Sequence, residues 1–300
     1  MDLSLLWIPA TVAAAAAQTA RNAMQRQLTE LIGTVGATQV RFLYGFPFAL
    51  AFLAVVLAVG SEPLPAAGPR FLAFALGGAL AQILATALML AAMRERSFAV
   101  TIAYTKTEPV QVALFGFLVL GDPLSALGAT AVVIATVGVV LMSVKPGAQS
   151  VSAAGLRPAA LGIASGAFFA LAAIGFRGAI VALPEGSFVL RATTTLAWSL
   201  GLQTALLGVY LALFDRGALL GSLKAWRPSL FAGFMGALAS QFWFLGFSLT
   251  AAANVRTLGL VEVLFVQAVS RKLFSQKSSP REFGGIALVL IGVGLLLAAQ

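Results

Sequence analysis

Cysteine and histidine are both absent from the 300 residues. Their absence removes disulfides, thiolate nucleophiles, His-ligated metals, His proton relays and Ser-His-Asp triads together. Charge is scarce as well: 10% of the residues are Asp, Glu, Lys or Arg, against about a quarter in ordinary soluble proteins. No Gly-rich phosphate loop follows a strand pattern and no Walker lysine occurs, which argues against ATP as an energy source. What fills the chain instead is apolar, 60% of it hydrophobic, so the bilayer is the expected solvent. A net charge of +9 would suggest nucleic acid in a soluble protein. In a multispanning one it reflects Lys and Arg held at the cytoplasmic face. No nucleic acid and no cofactor are expected.

A helix needs roughly 20 mainly apolar residues to cross about 30 Å of hydrocarbon. Ten such runs occur, at 3–24, 34–59, 71–93, 98–120, 124–144, 156–183, 188–214, 229–250, 255–274 and 283–299. Several connections are short, as at 94–97, 121–123 and 184–187, so neighbouring helices must run antiparallel. The first run lacks a basic segment ahead of it, unlike a signal peptide, and is expected to be a retained helix.

A shift of 154 residues superposes the fourth and fifth runs on the ninth and tenth without a gap: Ala99 on Ala253, Glu108 on Glu262, Val112 on Val266, Ser125 on Ser279, Gly138 on Gly292, Val139 on Val293 and Leu141 on Leu295. Apolar matches are cheap in such a chain, whereas paired glutamates and glycines are not. Arg21 with Arg177 and Arg41 with Arg191 match at slightly different shifts. The expected architecture is therefore all-α, ten transmembrane helices built as two five-helix repeats, residues 1–147 and 148–300. Five is odd, so the copies enter the membrane in opposite orientations, the inverted-repeat plan of alternating-access carriers. A duplicated scaffold without transport is the structural alternative.

These residues also carry a resemblance. The stretch Thr107-Glu108-Pro109-Val110, then Leu118-Val119-Leu120-Gly121-Asp122-Pro123-Leu124-Ser125, Gly128 and Gly138-Val139-Val140-Leu141 resembles the end of an EamA domain, which characterises a branch of the drug/metabolite transporter superfamily. The second copy is similar from Glu262 to Leu297 but has Val263 in place of the proline and Gln276 in place of the acidic turn residue. The resemblance implies a multipass carrier of small metabolites in a bacterial inner (plasma) membrane, with cytoplasmic termini. Amino acid exporters, nucleotide-sugar carriers and sugar-phosphate exchangers are among its relatives.

Charge inside a span costs at least about 2.5 to 3.5 kcal/mol on insertion scales, so a buried ionisable residue is a functional-site hypothesis by default. Glu108 and Glu262 lead, as a pair around one central cavity able to bind a proton or an ammonium group. The structural alternative is a permanent ion pair, such as Glu262 with Lys106. Lys106, whose counterpart is Leu260, breaks the symmetry and suits a carboxylate or phosphate. Tyr104 and Gln111 share the helical face of Glu108 by spacing, and Pro109 predicts a kink beside it. Weaker candidates are Gln18, Asn22, Gln82, Trp198, Gln203, Gln241 and Trp243. Arg177 and Arg256 lie near predicted span ends, within reach of water. Gly162 with Gly166, and Gly233 with Gly236, are expected to permit close helix approach.

The functional expectation is a secondary transporter, not an enzyme, moving a small polar metabolite such as an amino acid or similar zwitterion. Lys106 would hold the acid group, and Glu108 or Glu262 the amine or a coupling proton. A counter-substrate could replace the proton. The rivals are an exchanger of anionic or phosphorylated metabolites using Lys106, Arg177 and Arg256, an intramembrane enzyme, and a nontransporting membrane scaffold. The loops after the odd-numbered runs collect fourteen Lys and Arg, Arg21 and Arg41 among them. The other side has Arg70, Arg177, Arg191 and Arg256. The positive-inside rule then makes both termini periplasmic, against the family expectation. Oligomeric state is not legible.

Overall fold

The computed structural model describes residues 5–95, 101, 104–143, 153–265 and 280–299, and among these the chain is helical with no strand. Parts of the first, fourth, fifth and ninth runs lie outside the described residues, as do Ala99, Val266, Gln276 and Ser279. The helices are α1 (Trp7–Leu43), α2 (Phe46–Val59), α3 (Pro69–Glu95), α4 (Glu108–Phe115), α5 (Ala126–Ser143), α6 (Ala153–Ala182), α7 (Phe188–Phe214), α8 (Arg216–Lys224), α9 (Trp226–Leu249), α10 (Ala252–Leu258) and α11 (Pro280–Ala298).

Among the described residues, five helical stretches are long and apolar enough to cross a membrane: Gln27–Val59, Pro69–Arg94, Ala160–Ala182, Phe188–Phe214 and Trp226–Leu249. Three shorter apolar helices accompany them, Glu108–Leu120, Ala126–Leu141 and Phe283–Ala298. Large apolar side chains such as Val55, Val209, Leu213 and Phe214 are exposed on the outer surface, as a surface facing lipid requires. The protein is a multi-pass integral membrane protein.

Helix is broken at several places. Within α1, Gly33 has φ +72° and ψ 175°, a region open in practice only to glycine. The chain doubles back there: Gln25 Nε2 donates to the Ala37 carbonyl at 3.1 Å. The fourth run is interrupted at Lys106 and Thr107, and α4 begins at Glu108 with Pro109 in its first turn. Proline fits there because a first-turn N–H has no intrahelical partner to lose. The ninth run breaks at the matching place, where α10 gives way to a 3-10 turn at Gly259–Val261 and helix resumes over 262–265.

Helix packing rests on small residues, as it must where lipid supplies no hydrophobic drive between helices. α3 lies on α6 so closely that a Cβ on Gly175 would stand 2.7 Å from Gly78 Cα. Where α1 ends against α9, a Cβ on Gly233 would meet the Tyr44 carbonyl carbon at 2.5 Å. The α5 and α11 contact is reciprocal. A Cβ on Gly138 would meet the Gly285 oxygen and the Val289 nitrogen at 2.7 and 2.8 Å, and one on Gly292 would meet the Ala131 oxygen and the Ala135 nitrogen at 2.8 and 2.6 Å. Adding 154 to 131, 135 and 138 gives 285, 289 and 292, so this contact maps onto itself under the repeat shift.

Candidate functional site

The breaks in the fourth and ninth runs bring two carboxylates to the middle of the molecule. Glu108 opens the half-helix α4, the end that favours negative charge, and Glu262 follows directly on the 3-10 turn where helix resumes over 262–265. Lys106 Nζ lies 2.5 Å from Glu262 Oε2, and Arg256 Nε lies 3.1 Å from Glu108 Oε1. The pairing is crossed: the segment before α4 supplies the cation for the ninth run's glutamate, and α10 supplies the cation for the fourth run's. The Arg256 N–H does not point along its ion pair, so neither Arg256 Nε nor Glu108 Oε1 completes a hydrogen bond there.

Glu262 is the better satisfied of the two. Gln18 Nε2 donates to Oε2 at 2.8 Å and Asn22 Nδ2 to Oε1 at 3.2 Å, so three donors surround a carboxylate that is 1% exposed. Trp243 Nε1 donates to Gln18 Oε1 at 3.0 Å, and its ring lies 4.5 Å from the Arg256 guanidinium carbon, a cation–π contact. A Cβ on Gly259 would come within 2.4 Å of that indole, so glycine in the 3-10 turn is what lets Trp243 sit there.

Two further arginines stand beside these pairs. Arg21 donates from Nε and Nη2 to Asn22 Oδ1 at 3.3 and 2.7 Å. Arg41 Nη1 donates to Thr86 Oγ1 at 2.9 Å. With its amide oriented oxygen-inward, Gln82 accepts from Arg41 Nη2 and Nη1 at 2.7 and 3.1 Å. Gln18, Asn22, Gln82, Lys106, Glu108, Trp243 and Glu262 therefore line one cavity, together with Arg21, Arg41, Gln203 and Arg256. The room inside is about 40 Å³, space for about three or four waters at roughly 10 to 15 Å³ each, and the site is contracted around its charges.

Other sequence candidates lie elsewhere. Tyr104 does not share the face of Glu108, because the helix is interrupted between them; it packs against α6, where a Cβ on Gly162 would meet its Cβ at 2.5 Å. Gln111 and Gln241 are outside the cavity lining, and Gln241 Nε2 donates to Thr193 Oγ1 at 2.8 Å, joining α9 to α7. Trp198 is 40% exposed on the periphery, edge-on to Phe71. Gly236 does not mark a backbone contact: its missing Cβ makes room for the Arg21 and Arg41 stems, whose Cδ and Cγ would lie 3.3 and 3.7 Å away.

Three arginines that the sequence places near water are inside. Arg21 and Arg41 are 2% and 5% exposed, because α1 doubles back at Gly33 and lays the segment carrying Arg41 beside the one carrying Arg21. Arg256 is central because its helix starts at Ala252 and breaks at Gly259. Arg177 is elsewhere again, with Nη2 on Asp122 Oδ1 at 2.9 Å and Nη1 on the Phe247 and Thr250 carbonyls at 2.7 and 2.6 Å. It ties the turn after α4 to the C-terminal end of α9. Among the described residues no group of three or more Asp and Glu is arranged to hold a metal ion.

Residues 5–144 match the EamA-like transporter family. No curated protein matches the chain. A solved structure described only as "Crystal structure of protein" is similar over 100% of this chain and 97% of its own, with a TM-score of 0.71 at 13% identity. That similarity is one of fold.

Proposed function

We propose that the protein is a secondary carrier of the drug/metabolite type, with ten spans in two inverted five-helix repeats, a reading supported by the match of residues 5–144 to the EamA-like transporter family. It moves a small polar metabolite through the central cavity by alternating access. One observation carries the reading: two crossed ion pairs and two more arginines converge on a single cavity from four helical segments of both halves. Broken helices with half-helix ends at a central site are the usual construction of such carriers. The reciprocal glycine contact of α5 with α11 supports the two-repeat plan.

Lys106, Glu108 and Glu262, with Gln18, Asn22, Gln82 and Trp243, are the proposed site, and a coupling proton or a counter-substrate is the proposed partner. An amino acid or similar zwitterion fits a site holding both signs of charge. An anionic or phosphorylated metabolite is favoured by a specific observation, four cations against two carboxylates in the lining. Removing Arg21, Arg41 and Arg256 from the loop census leaves twelve Lys and Arg against three. The bias still supports periplasmic termini in a bacterial inner membrane.

In proteoliposomes, preloading with the right metabolite should accelerate uptake of its labelled form, in a panel of amino acids, dicarboxylates and phosphate esters. Glu108→Gln combined with Glu262→Gln should abolish that saturable flux. Full activity in the double variant, or no saturable flux of any panel member, would overturn the proposal.

A further inference from the structure

The two ion pairs use up both carboxylates, and the remaining cations are held by neutral groups only. Asn22 orients Arg21, while Thr86 and Gln82 orient Arg41. None of these partners carries charge. Among the described residues, no carboxylate oxygen lies within ion-pair distance of either guanidinium. Arg21 Nη1 and Arg41 Nε are buried with no hydrogen-bond partner. The two stems pack side by side over Gly236 of α9, so two guanidiniums that no carboxylate pairs directly share one wall of the cavity; Glu262 attracts Arg21 only at longer range and is itself paired with Lys106.

Holding an ionised group in a low-dielectric interior without a counter-charge is unfavourable by several kcal/mol, and two such groups together add their mutual repulsion. Such an arrangement is sustained when something negative comes to it. Arginine is suited to that role because its planar fork meets carboxylate and phosphate oxygens two at a time. We infer that Arg21 and Arg41 form the anion receptor of the central cavity, and that the substrate class is a small dianion, a dicarboxylate or a phosphate monoester. This rests on the carrier reading for the route by which the anion reaches the site. A surplus of two positive charges is neutralised by two negative ones.

A zwitterion fits less well. Its ammonium group needs a carboxylate to itself, whereas Glu262 already accepts from Lys106, Gln18 and Asn22 and Glu108, though its Oε1 lacks a hydrogen bond, already neutralises Arg256. An entering dianion asks for no such exchange. It needs the helices to move apart, since about 40 Å³ holds only a few waters.

The test uses the purified full chain in nanodiscs at constant ionic strength, titrated with inorganic phosphate, succinate or glycine while the unfolding midpoint is read. Phosphate or succinate should raise the midpoint saturably, sulfate should compete, and glycine should do neither. Arg21→Gln and Arg41→Gln should each weaken the apparent affinity at least tenfold, and Arg70→Gln at the exposed start of α3 should leave it unchanged. Stabilisation by glycine and by neither dianion would overturn the inference, as would dianion stabilisation that survives both glutamine variants. Should the variants fail to fold, the competition experiment on the unaltered chain decides: displacement by glycine but not by sulfate sinks it. A counterflow assay in liposomes keeps the two readings apart. Dianion binding without exchange leaves the anion site standing and removes the carrier, whereas zwitterion exchange indifferent to both arginines removes the anion site and leaves the carrier.

Discussion

Glu262 shows how a buried charge is kept in a membrane protein. Its partner Lys106 and the two amides form a closed set, and opening that set strands a charge. Breaking a buried pair by removing one member costs about 3 to 5 kcal/mol. Glu262→Gln and Lys106→Met should each lower stability by about that much, and the double variant by less than their sum, because neither charge is then left alone. Unfolding in mixed detergent micelles checks it, and strict additivity would mean the two groups do not interact. At this scale much of the site was legible. Glu108, Glu262 and Lys106 stand out as charges in apolar sequence, and Gln18, Asn22, Gln82 and Trp243 do reach the same cavity. Arg21, Arg41 and Arg256 lie deeper than a charge census of loops puts them: α1 carries Arg21 inward and doubles back at Gly33 to carry Arg41, and α10 starts ahead of the ninth apolar run. Helix α1 continues to the break at Gly33, which brings residues that look loop-bound into the centre.

Among the elements, α5 and α11 pack backbone to backbone at Gly138 and Gly292. Gly138→Ala should separate them at a cost of about 1 to 3 kcal/mol, the usual range for overpacking. Gly294→Ala, with nothing within 4 Å of the added carbon, should change little. Thermal midpoints of the two variants check this, and equal midpoints would contradict the close approach. Apolar runs mark where the long helices lie, but not that α1 joins the first run to the start of the second, nor the breaks before Glu108 and Glu262. Pro109 announced the first break. Nothing so direct announced the second, where Val263 replaces the proline and Gly259 yields to the Trp243 ring. The same blind spot explains Tyr104, which spacing puts on the face of Glu108 only if the helix runs through Lys106 and Thr107 unbroken.

For the whole molecule, the contact of Arg177 with Asp122 and with the carbonyls of Phe247 and Thr250 joins three segments. Hydrogen bonds to charged groups contribute about 1.5 to 3 kcal/mol each, and every 1.4 kcal/mol is a factor of ten in an equilibrium. Because the chain has no cysteine, Thr250→Cys places a single thiol beside this contact without further engineering. Adding Arg177→Gln should speed maleimide labelling of that thiol about tenfold, and an unchanged rate would mean that the contact does not hold the segment closed.

The repeat shift that pairs Glu108 with Glu262 sets Gln276 against Asp122, so the sequence offers no acid for a matching fastening in the second half. In a carrier of the proposed design the two facing states would then differ in energy, the empty protein would idle toward one compartment, and cargo binding would have to overcome a built-in preference before the next half-cycle begins.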